Sequence, residues 1–354
     1  MEPKYRNIIL ARESRGITQS ELAAKVNGLT QGNLSRMEKG LFSVSDDVLR
    51  SISEVTNYPI TFFYKEIIIT KDDSLFYRKR NSMTQKHLSK LEARIDVLSM
   101  VIDELMHSVD IPELKIPHVE IDGDKNPEMI AFNLRRYLNV PSGPIDDVIS
   151  LVEKQGVMVN FIEMDCDKFD GLTKFTVKGQ PVIWINRDIP NDRKRFTIAH
   201  ELGHLVMHLR SNNLDIDEFE AEKQANKFAA EFMLPMSDCK KDFLNLKYKD
   251  LPMLKQFWKM SKASILYRAF EIGSISQNTY RYYFMTLSKT GERKNESGIV
   301  SIAPPVLLNK MIDLHLNVLE YNKNEMTELL GLYFDEIANF FNGLGNSKKL
   351  RVSI

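Results

Sequence analysis

The chain has 354 residues, of which 43% are hydrophobic and 27% are charged. These fractions are typical of a globular protein and exclude a disordered or fibrous chain, and the length predicts two or three domains. The 48 basic and 48 acidic residues cancel, so the chain is not basic overall and any surface for nucleic acid has to be local.

Residues 1–64 are predicted to form an N-terminal bundle of short helices joined by tight turns. The first helix follows apolar positions at helical spacing, and the second opens with a capping box of Thr18 and Glu21. The third begins at the cap residue Thr30, and the fourth is expected to stop at Pro59. The second and third helices, with the turn between them, have the pattern of a helix-turn-helix.

The informative positions of this helix-turn-helix segment are Thr18, Gln19, Leu22, Ala23, Leu34, Ser35, Glu38 and Gly40. On these residues, the segment resembles the Xre/Cro-type repressor family. The resemblance implies that its second helix enters the major groove of DNA, with Gln31, Asn33 and Arg36 reading base edges. Gln and Asn can pair with adenine, and Arg can pair with guanine or phosphate.

Three more residues complete the predicted DNA-binding set. Gln19 is expected at a phosphate because it lies at the positive end of its own helix. Thr30 and Ser35 also belong to the predicted DNA-binding set. The turn VNGLTQ looks one residue longer than the commonest pattern, which leaves the choice of base-contacting residues open. Basic and acidic residues nearly balance over residues 1–50, so a docking module that binds no DNA is the alternative.

Residues 65–126 are predicted to be a basic and helical linker. The segment contains the cluster Arg78, Lys79 and Arg80, which would enlarge a basic footprint, followed by a long amphipathic helix. Two prolines and a glycine in residues 111–126 predict a domain boundary there.

Residues 127–290 are predicted to form a second domain with helices around a small sheet. Its strands are expected in VMVNFIEM, GLTKFTVKG and PVIWINRD, and two helices are expected around residues 193–209 and 218–234. Residues 291–354 read as a helical accessory region for packing or dimerisation. The predicted fold class is therefore mainly α with a small β-sheet, or α+β.

The segment RFTIAHELGHLVMHL carries a His-Glu-x-x-His pattern. His200 and His204 are four residues apart, so a helix places both imidazoles on one face, about 40° apart, where they can hold one Zn²⁺ ion. Glu201 borders that face and is predicted to be the general base that acts on a water molecule. An ordinary buried helix that carries histidines is the alternative.

A third ligand is expected from the alanine-rich segment EAEKQANKFAAEFMLP. Glu222, Ala225, Asn226 and Ala229 share one helical face, and the alanines allow close packing that brings the Glu222 carboxylate to the metal. Asn226 and His208 are expected to support the ligands by hydrogen bonding or packing. The acids that could compete with Glu222 are Asp215, Asp217, Glu218 and Glu220.

Two further features of this region lead to structural expectations. Gly203 lies inside the metal helix, and we expect it to let another backbone pass close to the site. The strand PVIWIN precedes the metal helix, and we expect the edge of this strand to bind the main chain of a substrate.

The span from residue 157 to residue 235 resembles the ImmA/IrrE family of metallopeptidases. The matching segments are DGLTKF, PVIWIN, RFTIAHELGHLVMH and EAEKQANKFAAEFMLP. The resemblance implies a zincin-like domain in which His200, His204 and Glu222 hold one zinc ion per chain and Glu201 is the base. A departure is Gln224, where many members have an acid.

The expected cellular context follows from the cysteines and the apolar runs. Cys166 and Cys239 are too few for a disulfide framework, and we read them as reduced thiols. No signal-peptide core opens the chain, and no apolar run approaches the roughly 18 residues of a membrane helix. We expect a cytoplasmic protein without a membrane partner.

Together the two resemblances imply a DNA-binding transcriptional regulator with a zinc-dependent peptidase domain. That domain is expected to cleave a repressor, in trans or in its own chain, in a stress, mobile-element or toxin–antitoxin response. The expected partners are a double-stranded DNA operator, a protein substrate and a second copy of the chain in a homodimer. The alternative is a transcription factor whose catalytically silent peptidase-like domain senses a ligand or a metal.

Overall fold

The computed structural model describes residues 3–68, 84–122, 125–164, 169–211, 217–293 and 295–340. This part of the chain is mainly helical and contains one small sheet, which confirms the predicted fold class. The basic cluster at residues 78–80, Cys166 and Asp215 lie outside the described residues.

The second and third helices of the N-terminal bundle begin at the cap residues that the sequence predicts. Thr18 and Glu21 form the reciprocal capping box, and the Thr30 hydroxyl accepts a hydrogen bond from the Asn33 amide. The fourth helix ends before Pro59, because Asn57 takes a left-handed conformation with φ of 52°. The elements are α1 (Tyr5–Ser14), α2 (Gln19–Lys25), α3 (Gln31–Glu38), α4 (Asp46–Thr56) and a 3-10 helix (Ile60–Tyr64).

The rest of the chain builds helices on both sides of a three-stranded sheet. After α5 (Gln85–Leu105) come α6 (Pro127–Tyr137), α7 (Val148–Glu153), β1 (Met158–Ile162), β2 (Gly171–Phe175) and β3 (Pro181–Asn186). The chain continues with α8 (Asn191–Met207), α9 (Glu218–Met233), α10 (Met236–Asp242), a 3-10 helix (Tyr248–Asp250), α11 (Leu251–Trp258), α12 (Lys262–Glu271) and α13 (Gln277–Lys289). The last described helices are α14 (Leu307–Asn317), α15 (Lys323–Leu330) and α16 (Phe334–Phe340).

The sheet has the strand order β1–β3–β2. β1 runs parallel to β3 with Met158 opposite Val182, and β2 runs antiparallel to β3 with Leu172 opposite Trp184. The expectation that β3 offers an edge to a substrate is wrong, because β3 is the central strand and pairs on both sides. β2 is an edge strand, and it packs against α8.

Two apolar cores cover the two faces of the sheet. Alternation of side chains along β3 directs Ile183 into the core that contains α8 and α9, and Trp184 into the other core. The core that contains Trp184 also contains side chains of the N-terminal bundle, of α5 and of the C-terminal helices α14, α15 and α16. The N-terminal bundle and the sheet are therefore connected by continuous packing.

Helix α5 makes this connection. It packs along α1, and its Asp96 carboxylate accepts a hydrogen bond of 2.5 Å from the Lys174 amine on β2. Arg94 of the same helix donates a hydrogen bond to the carbonyl oxygen of Glu163 after β1. The helix predicted as part of a linker thus contacts both the bundle and the sheet.

The loop after α13 contacts the helices α11 and α12. Glu296 accepts hydrogen bonds from the Lys255 amine and from the backbone amides of Lys262 and Ala263 at the start of α12. Lys255 is buried and also donates to Asp192 of α8 at 2.6 Å. Among the helices that the structure describes, none is both long and apolar enough to span a membrane.

Candidate metal centre and nucleic-acid interface

The candidate metal centre lies where α8 and α9 pack against each other. Ala225 and Ala229 are fully buried, which allows the close approach of the two helices that the small-residue face predicts. A Cβ atom at Gly203 would lie 2.9 Å from Cδ1 of Phe228. The expectation of a backbone passing Gly203 is therefore wrong, because the ring of Phe228 occupies that space.

Three side chains converge on one point in this interface. Nε2 of His200 lies 3.1 Å from Nε2 of His204, and the Glu222 oxygens lie 3.4 Å and 3.3 Å from these two atoms. A tetrahedral zinc ion with bonds of about 2.0–2.1 Å has ligand atoms about 3.3 Å apart. The two imidazole nitrogens and the carboxylate therefore approach one another at distances close to those between the ligand atoms of one ion, and one ligand atom from each side chain lies within 4.8 Å of the others.

The hydrogen bonds behind the two imidazoles leave their Nε2 atoms ready to bind a metal. Asn226 Oδ1 lies 3.1 Å from Nδ1 of His200, so that nitrogen donates and Nε2 keeps its lone pair. His208 Nε2 donates to Gln224 Oε1 at 2.9 Å, which leaves the His208 Nδ1 atom to accept from Nδ1 of His204 at 3.0 Å. Both ligand rings therefore fit the metal-binding tautomer.

His208 stays uncharged in this chain of hydrogen bonds. Burial first, and then the nearby His204, lower the pKa of His208 to about 4. A neutral imidazole has one donor and one acceptor nitrogen, as the bonds to Gln224 and His204 require. Gln224, which is a departure from the family resemblance, thus contacts the site through His208.

Glu201 lies beside the three converging side chains. Its side chain is buried, and its Oε2 atom accepts a hydrogen bond of 3.0 Å from the Thr173 hydroxyl on β2. Sequence reasoning did not single out Thr173. Alternation along β2 could have placed Thr173 towards α8, because Leu172 and Lys174 on either side face the opposite core.

The competing acids are placed less favourably. Among the described residues, the side chains grouped closely enough to hold a metal ion are His200, His204 and Glu222, and this group includes neither Asp217 nor Glu220. Glu220 instead forms an ion pair with Lys223 at 3.3 Å.

The predicted DNA-binding residues lie on α2, on α3 and in the turn between them. Thr30, Gln31 and Arg36 are exposed, and the other three predicted residues are partly exposed. Gln31 donates a hydrogen bond of 2.8 Å to Gln19 Oε1, which links the start of α3 to the start of α2. The three partly exposed residues are Gln19, Asn33 and Ser35.

The buried ion pair of Arg12 and Glu38 holds the hydrogen-bonded side chains of Gln19 and Gln31 in place. Gln19 donates to Glu38 Oε2 at 2.6 Å, and the Glu38 carboxylate also accepts two hydrogen bonds from Arg12 of α1. Sequence reasoning missed Arg12, because its partner lies 26 residues away in another helix. The connected side chains hold α1, α2 and α3 in one arrangement and orient the amide groups of Gln19 and Gln31.

Two family models match the chain. Residues 8–63 match the Helix-turn-helix model HTH_3, and residues 152–270 match the IrrE N-terminal-like domain, Peptidase_M78. The fold and the site thus define a DNA-binding regulator with a peptidase-like domain. The two matches confirm the predicted fusion of an Xre-type helix-turn-helix with an ImmA/IrrE-type metallopeptidase domain. No curated protein matches the chain.

Proposed function

We propose that the protein is an operator-binding regulator whose zinc-dependent peptidase site cleaves a repressor, either another protein or its own chain. The observation that carries this proposal is the convergence of His200, His204 and Glu222 with Glu201 held beside them. The family match over residues 152–270 supports the same chemistry. We further propose one zinc ion per chain, held by the three converging side chains.

His200, His204 and Glu222 would hold a zinc ion, which would supply Lewis acidity for the attack of water on the scissile carbonyl. Glu201 accepts the proton of the attacking water and then donates it to the leaving amine. Thr173 holds Oε2 of Glu201 and so orients the carboxylate. Asn226 and His208 hold the two ligand rings in their tautomers.

We place the main chain of the substrate along β2, and the sheet order supports this choice. β2 is the edge strand beside α8, and its Thr173 contacts Glu201. An extended substrate segment that runs along β2 would therefore lie next to the proposed base, as in recognition by strand addition.

The DNA-binding part of the proposal involves α3 in the major groove. Two copies of the chain, as a homodimer, would read two half-sites of one operator, which is the usual geometry of helix-turn-helix regulators. Cleavage at the operator would then change transcription in a stress, mobile-element or toxin–antitoxin response.

A metal or ligand sensor without peptidase activity is the second candidate, and one observation favours it. Thr173 and Lys174 are adjacent on β2, and they contact Glu201 of the metal site and Asp96 of α5 respectively. Because α5 packs along α1, a displacement of β2 on metal binding would reach the helix-turn-helix.

The decisive experiment compares wild type with Glu201→Gln for cleavage of co-expressed candidate repressors, with the zinc content measured in both. We expect cleavage only in wild type and one zinc ion per chain in both proteins. If both proteins hold zinc and wild type cleaves no candidate repressor and does not cleave itself, the peptidase function is wrong and the sensor function is supported.

A further inference from the structure

A cavity of about 620 Å³ opens beside the metal centre. Glu222 and Asn226 lie on its wall, so the cavity is continuous with the site at which the scissile bond would be held. It extends between α9 and the pair α12 and α13. Its volume lies in the range of about 300–1,000 Å³ that is typical of ligand pockets, so one large side chain would fit inside it.

The wall of this cavity is mostly apolar. Small side chains leave the space open, since Ala230 and Ala263 line it. Phe219 and Tyr267 are 56% and 54% exposed, so aromatic surface remains in water until something covers it. The other apolar groups on the wall are Phe196, Leu234 and Phe284.

The charged groups of the cavity do not favour an acidic guest. At the buried end, Arg268 donates from each of its three nitrogen atoms, to Glu231, to Glu271 at 2.6 Å and to the carbonyl oxygen of Leu234 at 3.0 Å. With two carboxylates on one guanidinium, a further anion would meet no unbalanced positive charge there.

The rim lysines are balanced in the same way. Lys223 pairs with Glu220 at 3.3 Å, and Lys227 pairs with Glu128 at 3.4 Å. Apolar area is therefore the property of the cavity that can distinguish one guest from another.

We propose that this cavity is the specificity pocket of the site and receives a large apolar side chain, aromatic or branched aliphatic, next to the scissile bond. The inference rests on the proposed peptidase function and adds the class of residue at which cleavage occurs. A guest of this kind covers the exposed rings of Phe219 and Tyr267 and leaves the ion pairs of Arg268 intact.

The test measures the affinity of the zinc-loaded full-length protein for three hydroxamates by titration calorimetry. The probes are the hydroxamates of N-acetylglycine, N-acetylphenylalanine and N-acetylaspartate, which share the metal-binding group and differ in the side chain. Burial of a benzyl group predicts about 10- to 100-fold tighter binding of the phenylalanine probe than of the glycine probe. The aspartate probe should gain nothing over glycine.

Two variants link this preference to the cavity. Ala263→Phe fills the space and Tyr267→Ala removes part of its wall, and each should reduce the preference for the phenylalanine probe while the affinity for the glycine probe is retained. Tyr282→Ala is the matched control, because Tyr282 is 59% exposed on α13 and does not line the cavity. The zinc content of each variant is measured in parallel.

The outcomes separate the two proposals. Equal affinity for the glycine and phenylalanine probes in wild type, or a preference that persists in both cavity variants, overturns the specificity pocket alone. A zinc-loaded wild type that binds none of the three probes contradicts the open metal site, and with it both the proposed peptidase function and the pocket.

Discussion

The hydroxyl group of Thr173 lies 3.0 Å from the carboxylate of Glu201, so the edge strand β2 holds the proposed base across the interface with α8. Hydrogen bonds to charged groups contribute about 1.5–3 kcal/mol. We expect Thr173→Val to lower the turnover of substrate by about 10- to 100-fold with KM and zinc content unchanged. Thr173→Ser keeps a hydroxyl and should retain most of the turnover. Equal turnover in the valine and serine variants would show that this hydrogen bond does not position the base.

Zinc binding should stabilise the folded protein through the three converging side chains. At a free zinc concentration of about 1,000 times Kd, binding adds about 4 kcal/mol to the free energy of unfolding. We expect a chelator to lower the thermal midpoint of wild type, and Glu222→Gln to lose most of this response. Glu220→Gln, an acid on the same helix outside the group, is the control and should respond like wild type. A full response in Glu222→Gln would exclude Glu222 as a ligand.

Gly203→Ala should destabilise the protein although alanine favours helices. The added Cβ would lie 2.9 Å from Phe228, and overpacking of this kind costs about 1–3 kcal/mol, more than the gain of about 1 kcal/mol in helix propensity. Gly32→Ala in α3 is the matched control, because its Cβ would meet nothing within 4 Å, and it should be neutral or stabilising. Urea denaturation measures both variants. If Gly203→Ala is as stable as Gly32→Ala, the contact with Phe228 does not explain the glycine.

The stability of the protein should depend on pH through Glu153. Its carboxylate accepts hydrogen bonds from the amides of Val306 and Leu307 at the start of α14, and burial raises its pKa from 4.5 to about 7. A raised pKa in the folded state means that the contribution of this group is fully present below pH 4.5 and is lost as the pH rises through 7. The full effect is roughly 3 kcal/mol.

Glu153→Gln tests this dependence, because the amide oxygen can still accept a hydrogen bond and does not titrate. Wild type should lose stability relative to Glu153→Gln between about pH 4.5 and pH 7, measured by urea denaturation. Glu328→Gln, at an exposed carboxyl of α15, should keep the wild-type pH dependence. An unchanged difference in stability across this pH range would show that Glu153 titrates normally.

The double variant Gln31→Ala with Arg36→Ala should abolish specific operator binding. Both side chains are exposed on α3, and each base contact of this kind contributes about 1–3 kcal/mol of discrimination. The zinc content should stay unchanged. Arg281→Ala removes an exposed charge from α13 and controls for the loss of positive charge. Operator binding that survives in the double variant, measured by fluorescence anisotropy, would assign recognition to another helix.

Much of the local structure could be predicted from the sequence because it depends on neighbours along the chain. The caps at Thr18 and Thr30 follow from side chains that bond amides three residues away. The convergence of His200 and His204 follows from the turn of a single helix. The small-residue face of α9 was enough to choose Glu222 as the expected third ligand, and its carboxylate lies next to both imidazoles.

Only the tertiary structure decided how distant segments meet. The central position of β3, the ring of Phe228 against Gly203 and the packing of α5 between the bundle and the sheet have no local signal. Thr173 lies 28 residues before Glu201, and the contact exists only because β2 is placed beside α8. Hydrophobic burial and helix geometry set which faces turn inward, whereas the partners on those faces are chosen by the packing of the whole chain.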